Sequence, residues 1–378
     1  MLLPQRPPAW PRVQHTGSLF TLLGAMALLC VLTYRSSNAQ MLQGGNTGLV
    51  LPAPLSRLQV QLQRRISFLS HRTGFAIQLS FKRADGEFTV VGGNAADGRL
   101  LTADDTFLFG SGTKPITAVA VLDAISRGLL SESEPAAHAV DLGIRKLGSN
   151  QTLRSLFGQK ADNITIGQLL RMQSGVADFD VVEFDRELLE RGIATGPLEF
   201  VRAAAELEPP FSCNPGACTS YSSTNYVLAG LALLGIDDAT DSWENLDQAR
   251  ALPKYSSLSY LNTGPLNRSL TTRGYHSEKN PEGARATGTA TLLGGPLLGP
   301  LLGLGVQTVS DTVLPKLRTE IWEQDASVLG WTCGNGVGST ADMARFFWDL
   351  LVERSILPPD ILESMKRTAV INKGWSEG

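Results

Sequence analysis

Hydrophobic residues recur along this chain with two different periods, and the change of period marks the elements. Leu55, Leu58, Leu62, Ile66 and Leu69 fall three or four apart, the spacing of one helical stripe, and the run from His71 to Gly74 ends it. Phe75, Ile77, Leu79 and Phe81 then alternate with Ala76, Gln78, Ser80 and Lys82, the two-residue period of a half-buried strand. Asp85-Gly86 signals a hairpin turn, and Phe88 to Val91 reads as the returning strand. Ile116 to Leu122 is apolar on nearly every side, which predicts a buried helix, with Gly128 as its stop. Helix, hairpin and helix in this order predict an antiparallel sheet flanked by helices, an α/β (α+β) fold.

From about residue 130 to 330 strand signals are sparse. Ile166 to Met172 and Tyr226 to Leu234 read as short helices among loops, so this stretch is expected to be a mostly helical insertion. Leu292 to Val306 is apolar but broken by Gly and Pro, and it is too short to span a bilayer; a buried or lid-like loop is expected. Regular pattern returns at Ser339-Thr340-Ala341-Asp342, cap-type residues opening a helix with Met343, Phe346, Phe347, Leu350 and Leu351 inward.

The N-terminus follows a different logic. Arg6 and Arg12 precede an uncharged run from Leu19 to Leu32, and Ser37-Asn38-Ala39 offers small residues for cleavage. This is the pattern of a secretory signal, so residues 1–39 are expected to be removed and the product secreted or extracytoplasmic. A type II membrane anchor is the alternative if the run is not cleaved. A leader then covers 40–52, and the folded domain 53–378. With 43% hydrophobic and 18% charged residues the chain can bury a sizeable core. Its formal net charge of −3 supplies no electrostatic argument for a nucleic acid or an anionic membrane as partner. Cys213 and Cys218 flank a tight loop and could bridge locally; three ordinary thiols, with Cys333, is the alternative. No CxxC, HExxH or His cluster points to a metal. Sequons stand at Asn150, Asn163 and Asn267.

The chemistry concentrates at Phe109-Gly110-Ser111-Gly112-Thr113-Lys114-Pro115. Residues three apart share a helix face, so Ser111 and Lys114 point the same way. Burial beside an apolar helix is expected to lower the Lys114 pKa, and a neutral lysine can take the proton of a serine hydroxyl. Free amides at the helix start favour the oxyanion that forms after attack. The competing reading is structural: Ser111 caps the helix and Lys114 reaches water. The spacing around Ser111 lacks the G-x-S-x-G elbow of an α/β-hydrolase.

The remaining motifs favour the chemical reading. Pro215-Gly216 precedes Tyr221-Ser222-Ser223-Thr224-Asn225-Tyr226, while Ile164 to Leu170 leads to Gln173-Ser174-Gly175-Val176, and Gly336 to Phe346 reads GVGSTADMARF. With the S-x-x-K box, these resemble in order the landmarks of the serine β-lactamase-like family: class C β-lactamases, DD-peptidases and related esterases. The resemblance implies that Ser111 attacks a carbonyl and is acylated, that Lys114 and Tyr221 manage the proton, and that no metal or organic cofactor is needed. It implies a small-molecule or peptide substrate, whether ester, peptide or β-lactam.

Two departures bear on substrate and activity. The family's Tyr-x-Asn box carries Ser223 at its third position. Ser223 is the expected substrate-binding residue, but a hydroxyl is shorter and less versatile than an amide, which puts penicillin-like amide recognition in doubt more than ester recognition. No Lys-Thr-Gly or His-x-Gly follows the second box: Lys146-Leu147-Gly148 precedes Tyr221, and His71 to Gly74 precedes Ser111. The sequence as given, ending NKGWSEG, is therefore expected to stop short of the third box, its strands and the closing helix, or to belong to a relative that keeps the fold for binding or scaffolding.

Overall fold

The computed structural model describes residues 53–273, 275–277 and 318–367. The N-terminal apolar run, the Leu292 to Val306 segment and the final residues lie outside the described residues. No described helix is long and apolar enough to cross a membrane.

Helix α1 (Ala53–Thr73) packs on a hairpin of β1 (Ile77–Arg83) and β2 (Gly86–Gly92). Of the α1 stripe, Ile66 is buried and Leu58, Leu62 and Leu69 are half-buried, facing the sheet. The hairpin register pairs Ile77 with Gly92 and Arg83 with Gly86, so the two-residue turn is Ala84-Asp85, one position earlier than the Asp85-Gly86 signal suggested. On the opposite side Gln78 and Ser80 reach the start of a later helix, α10: Gln78 Oε1 accepts the Thr340 amide (2.8 Å) and Ser80 Oγ lies 2.7 Å from Thr340 Oγ1.

The loop after the hairpin carries the polar anchor Asp105, whose side chain is 1% exposed. Its carboxylate accepts from the Arg99 guanidinium on both oxygens, and from the Thr102 amide (2.7 Å) and hydroxyl (3.0 Å). The hydrogen bonds from Arg99 hold this carboxyl far below the ordinary carboxylate range, against the effect of its burial.

Next come β3 (Phe107–Leu108), α2 (Lys114–Ser126), α3 (Ala137–Lys146), α4 (Leu153–Phe157), α5 (Ile166–Leu170), α6 (Val182–Arg191), α7 (Pro197–Ala205), α8 (Thr224–Ile236), β4 (Ser259–Tyr260) and α9 (Leu266–Ser269). Strands β5 (Tyr275–Ser277) and β6 (Arg318–Glu320) pair with each other, and β7 (Gly336–Gly338), α10 (Thr340–Leu351) and α11 (Pro359–Met365) follow. The second sheet has the order β3-β7-β4, all antiparallel. The stretch expected to be helical thus donates a strand, β4, to this sheet. Two residues are too few to show an alternating pattern, so the strand left no periodic trace.

Two apolar cores meet at α2. Val121 and Ala124 join the larger one with α3, α7 and α8, while Ile116, Val119 and Leu122 join Met343, Phe346, Phe347 and Leu350 of α10. A helix used on both sides must be apolar all round, as α2 is. Helix α8 is buried continuously from Thr224 to Leu234. It lies so close to α3 that a Cβ on Gly143 would come within 2.1 Å of the Leu231 carbonyl oxygen, and one on Gly235 within 2.1 Å of that of Ala139. At roughly 1.5–3 kcal/mol per fully buried large aliphatic side chain, Leu228, Leu231 and Leu234 alone hold α8 firmly in this groove.

Candidate active site

Ser111 lies in a single 3-10 turn, Gly110–Thr113, that runs directly into α2. Gly110 begins that turn at φ 51°, a conformation that favours glycine. The turn is clamped by β7: the Phe109 amide donates to the Gly336 carbonyl (2.9 Å), and the Gly336 amide to Thr113 Oγ1 (2.8 Å). The GVGST segment therefore sets the height of Ser111 above the sheet. Pro115 occupies the first turn of α2, where its missing N–H costs nothing.

Tyr221 arrives from the other side, pinned at both neighbours. The Ser220 amide donates to Met172 O (3.0 Å), and Ser222, 1% exposed, donates its hydroxyl to Ala177 O (3.0 Å). Below them Ser174 Oγ donates to Asn225 Oδ1 (2.6 Å), whose amide nitrogen donates to Ser222 O (3.1 Å). A disulfide joins Cys213 and Cys218 just upstream, so the local bridge, one of the two cysteine readings, is the one present. Two non-glycine residues with positive φ flank the site, Met172 (56°) and Trp331 (51°), a backbone strain that cores rarely carry without use.

These constraints bring three predicted side chains together. Ser111 Oγ is 2.6 Å from Tyr221 Oη, and Lys114 Nζ donates to Ser111 Oγ at 3.0 Å. Lys114 is 6% exposed and gives a second hydrogen bond to the Cys333 carbonyl (3.2 Å); its ammonium also lies 5.1 Å from the Tyr221 ring centroid. Ser111 is half-buried and Tyr221 is 39% exposed, so the trio opens to solvent through the tyrosine. Ser223, by contrast, is 5% exposed, and its amide donates to Asp178 Oδ1 (2.9 Å). The structure places Ser223 beside the trio without bringing it to the surface.

Electrostatics correct one expectation. Burial disfavours the Lys114 charge, but the acidic groups of Cys333, Tyr221 and Asp178 outweigh it, and the lysine lies above its ordinary value. This direction is the opposite of the lowering that its burial alone suggested. Burial pushes the Cys333 thiol itself up to about 12, so the standing counter-charge near neutrality comes from Asp178 rather than from sulfur. Asp178 is raised to about 6, first by burial and then by repulsion from Asp180, with the amides of Asp180 and Ser223 opposing the rise.

Sequence reasoning missed two contributors, Asp178 and the Cys333 carbonyl. Asp178 lies two residues beyond the Ser174-Gly175-Val176 landmark, and the acidic pair with Asp180 was its only signal. A backbone carbonyl leaves none. A cavity of about 570 Å³ lies elsewhere, lined by residues between Glu244 and Asn262, and no side chain of the trio borders it.

A serine, a buried lysine and a tyrosine in mutual contact at the mouth of an apolar helix, on mixed helices and small antiparallel sheets, define a β-lactamase/transpeptidase-like fold. The comparisons agree. The chain belongs to the Beta-lactamase family, whose model matches residues 83–378. Among solved structures it is similar to a D-stereospecific amidohydrolase from Streptomyces sp. (19% identity, 83% of this chain and 79% of that one, TM-score 0.57). It is also similar to a D-amino acid amidase from Ochrobactrum anthropi SV3 (15%, 81% and 72%, TM-score 0.52) and a penicillin binding protein from Bacillus halodurans (18%, 79% and 77%, TM-score 0.51). No curated protein matched in sequence.

Proposed function

We propose that this protein is a serine hydrolase that works through an acyl-enzyme on Ser111, with Lys114 and Tyr221 as its proton-handling pair. The observation that carries this reading is the contact of Ser111 Oγ with both Tyr221 Oη and Lys114 Nζ. A hydroxyl held by a cation on one side and a second hydroxyl on the other is arranged to lose its proton.

In the proposed cycle Ser111 Oγ attacks a carbonyl carbon while its proton passes to the Tyr221 oxygen and the Tyr221 hydroxyl hands its own proton on to the leaving-group atom. The charged Lys114 stabilises the negative charge that develops on both oxygens. The Ser111 amide, in the turn opening α2, donates to the carbonyl oxygen as it becomes an oxyanion. The bond from carbon to the leaving group then breaks, and the leaving group departs with the proton it received from Tyr221, which keeps the one from Ser111. Water repeats the steps in reverse roles, its proton going to Tyr221 and then to Ser111 as the acyl group is released. No residue of this scheme requires a metal or organic cofactor.

The substrate is read as a small amide or ester. Two of the structures the fold resembles are named as amidohydrolase and amidase, which favours an amide carbonyl. The half-open trio and the buried Ser223 leave recognition chiefly to groups around Tyr221. The test is turnover of a p-nitrophenyl ester and of D- and L-amino acid anilides by the parent and by Ser111→Ala. Hydrolysis by the parent alone supports the reading; equal turnover by both would remove Ser111 from the mechanism.

A further inference from the structure

The net charge of −3 conceals a strong segregation. Nine of the 33 Lys and Arg residues, and none of the 36 Asp and Glu residues, precede Asp85. Elsewhere many surface bases are met by acids: Lys82 pairs with Glu87, Arg171 with Glu132, Arg191 with Glu187 and Glu199, and Arg250 with Asp237, while Arg145, Lys160, Arg186, Arg202 and Arg268, exposed without an ion pair among the described residues, stand one to an element. On α1, Arg57, Arg64 and Arg65 are exposed and form no ion pair among the described residues. Val60 and Phe68 lie on the same outward side, 50% and 54% exposed, with the Arg72 guanidinium 5.7 Å from the Phe68 ring centroid. The inward side is committed, because Ile66 is buried and Gln63 Nε2 donates to Val91 O of the hairpin (2.6 Å). So α1 is amphipathic twice over: apolar inward, and basic with two apolar studs outward.

We infer that the outward face of α1 rests on an anionic membrane surface. Arginines at such a surface sit among lipid phosphates, while apolar side chains between them enter the acyl boundary. A nucleic-acid backbone would satisfy the arginines and leave Val60 and Phe68 without a purpose; a bilayer uses both. The sequence adds an independent reason. The apolar run Leu19 to Leu32 lies N-terminal to α1, and residues 33–52 between them carry one charge, Arg35. Where the run stays uncleaved as an anchor, that connection can extend to at most about 70 Å and keeps α1 near the bilayer. The inference does not depend on the catalytic reading, since Ser111, Lys114 and Tyr221 belong to other elements.

Sedimentation of the full chain with vesicles tests it, using phosphatidylcholine alone and phosphatidylcholine mixed with phosphatidylserine, at low and high salt. Parent and variants all keep the apolar run, so its contribution is read on the neutral vesicles. The parent is expected to bind the mixed vesicles at least about tenfold more tightly than the neutral ones at low salt. The triple variant Arg57→Gln, Arg64→Gln, Arg65→Gln is expected to lose most of that preference and to keep its neutral-vesicle binding. The Arg→Lys triple variant should retain the preference, and Phe68→Ser should weaken binding to both vesicle types. Circular dichroism confirms that each variant is folded. No anionic preference in the parent, or an undiminished preference in the folded Gln variant, would overturn the inference.

Discussion

Two buried polar centres lie within this molecule, and they are built on opposite plans. Asp105 is saturated: a cation meets both oxygens, and the Thr102 amide and hydroxyl add two further donors. Lys114 is under-supplied. It has a serine hydroxyl and one carbonyl for its ammonium, and it forms no ion pair among the described residues. A saturated carboxylate holds structure and does nothing else, because every lone pair is used and its protonation lies far from neutrality. A lysine whose best acceptor is a hydroxyl leaves that hydroxyl polarised and available. The difference shows how one chain separates stability from reactivity: it completes hydrogen bonding at one centre and leaves it incomplete at the other.

Breaking each centre should therefore have opposite consequences. Lys114→Met is expected to reduce acylation of Ser111 by at least about 10³-fold, because it removes the charge that stabilises both oxygens. Thermal stability should change little, since an apolar side chain replaces a buried and incompletely paired cation. Stopped-flow acylation and calorimetry on the same preparation check both parts. Tyr221→Phe should slow acylation by about 10²–10⁴-fold and leave the melting temperature nearly unchanged, because the ring stays and only its exposed hydroxyl is removed.

Asp105→Ala is the mirror image. It should cost about 3–5 kcal/mol of stability, measured by denaturant unfolding, while the folded fraction acylates at the parent rate. The sign of its pH dependence follows from a native carboxyl held below its ordinary value. The Asp105 contribution is present above the ordinary carboxylate range and is lost as pH falls below it, so parent and Asp105→Asn should converge in acid. Asp178 has the reverse sign and the smallest effect. With its native value raised to about 6, its contribution is present in acid, below the ordinary carboxylate value, and is lost as pH rises through about 6. Asp178→Asn should gain a few degrees in melting temperature relative to the parent across that interval. A difference that does not vary with pH would mean that Asp178 is already solvated.

What was legible in the sequence divides along the same line. Elements with an amphipathic stripe could be read: α1, the hairpin, and α10 with Ser339 capping its first turn through the Asp342 amide. The all-apolar helices α2 and α8 were visible as buried segments, although nothing in them showed which neighbours each would touch. Strands β3, β4 and β7 were not legible, because two or three residues give no period and β7 pairs with strands about 230 and about 80 residues before it. Of the candidate site, Ser111 and Lys114 are legible from their shared helix face, and Tyr221 from the resemblance of its motif to the family's second box. Asp178 leaves no signal because loop residues follow no pattern, and the direction of the Lys114 shift depends on acidic groups in distant loops that a local reading of burial does not reach. The segregated charge at α1 was equally invisible to a net sum.

The central claim is that Ser111 is an activated nucleophile, and peptide mass spectrometry after exposure to a fluorophosphonate tests it most directly. The account predicts a stoichiometric adduct on the peptide that contains Ser111, absent from Ser111→Ala and strongly slowed in Lys114→Met. A well-folded protein whose Ser111 peptide stays unmodified, or which is labelled equally in Ser111→Ala, would contradict it.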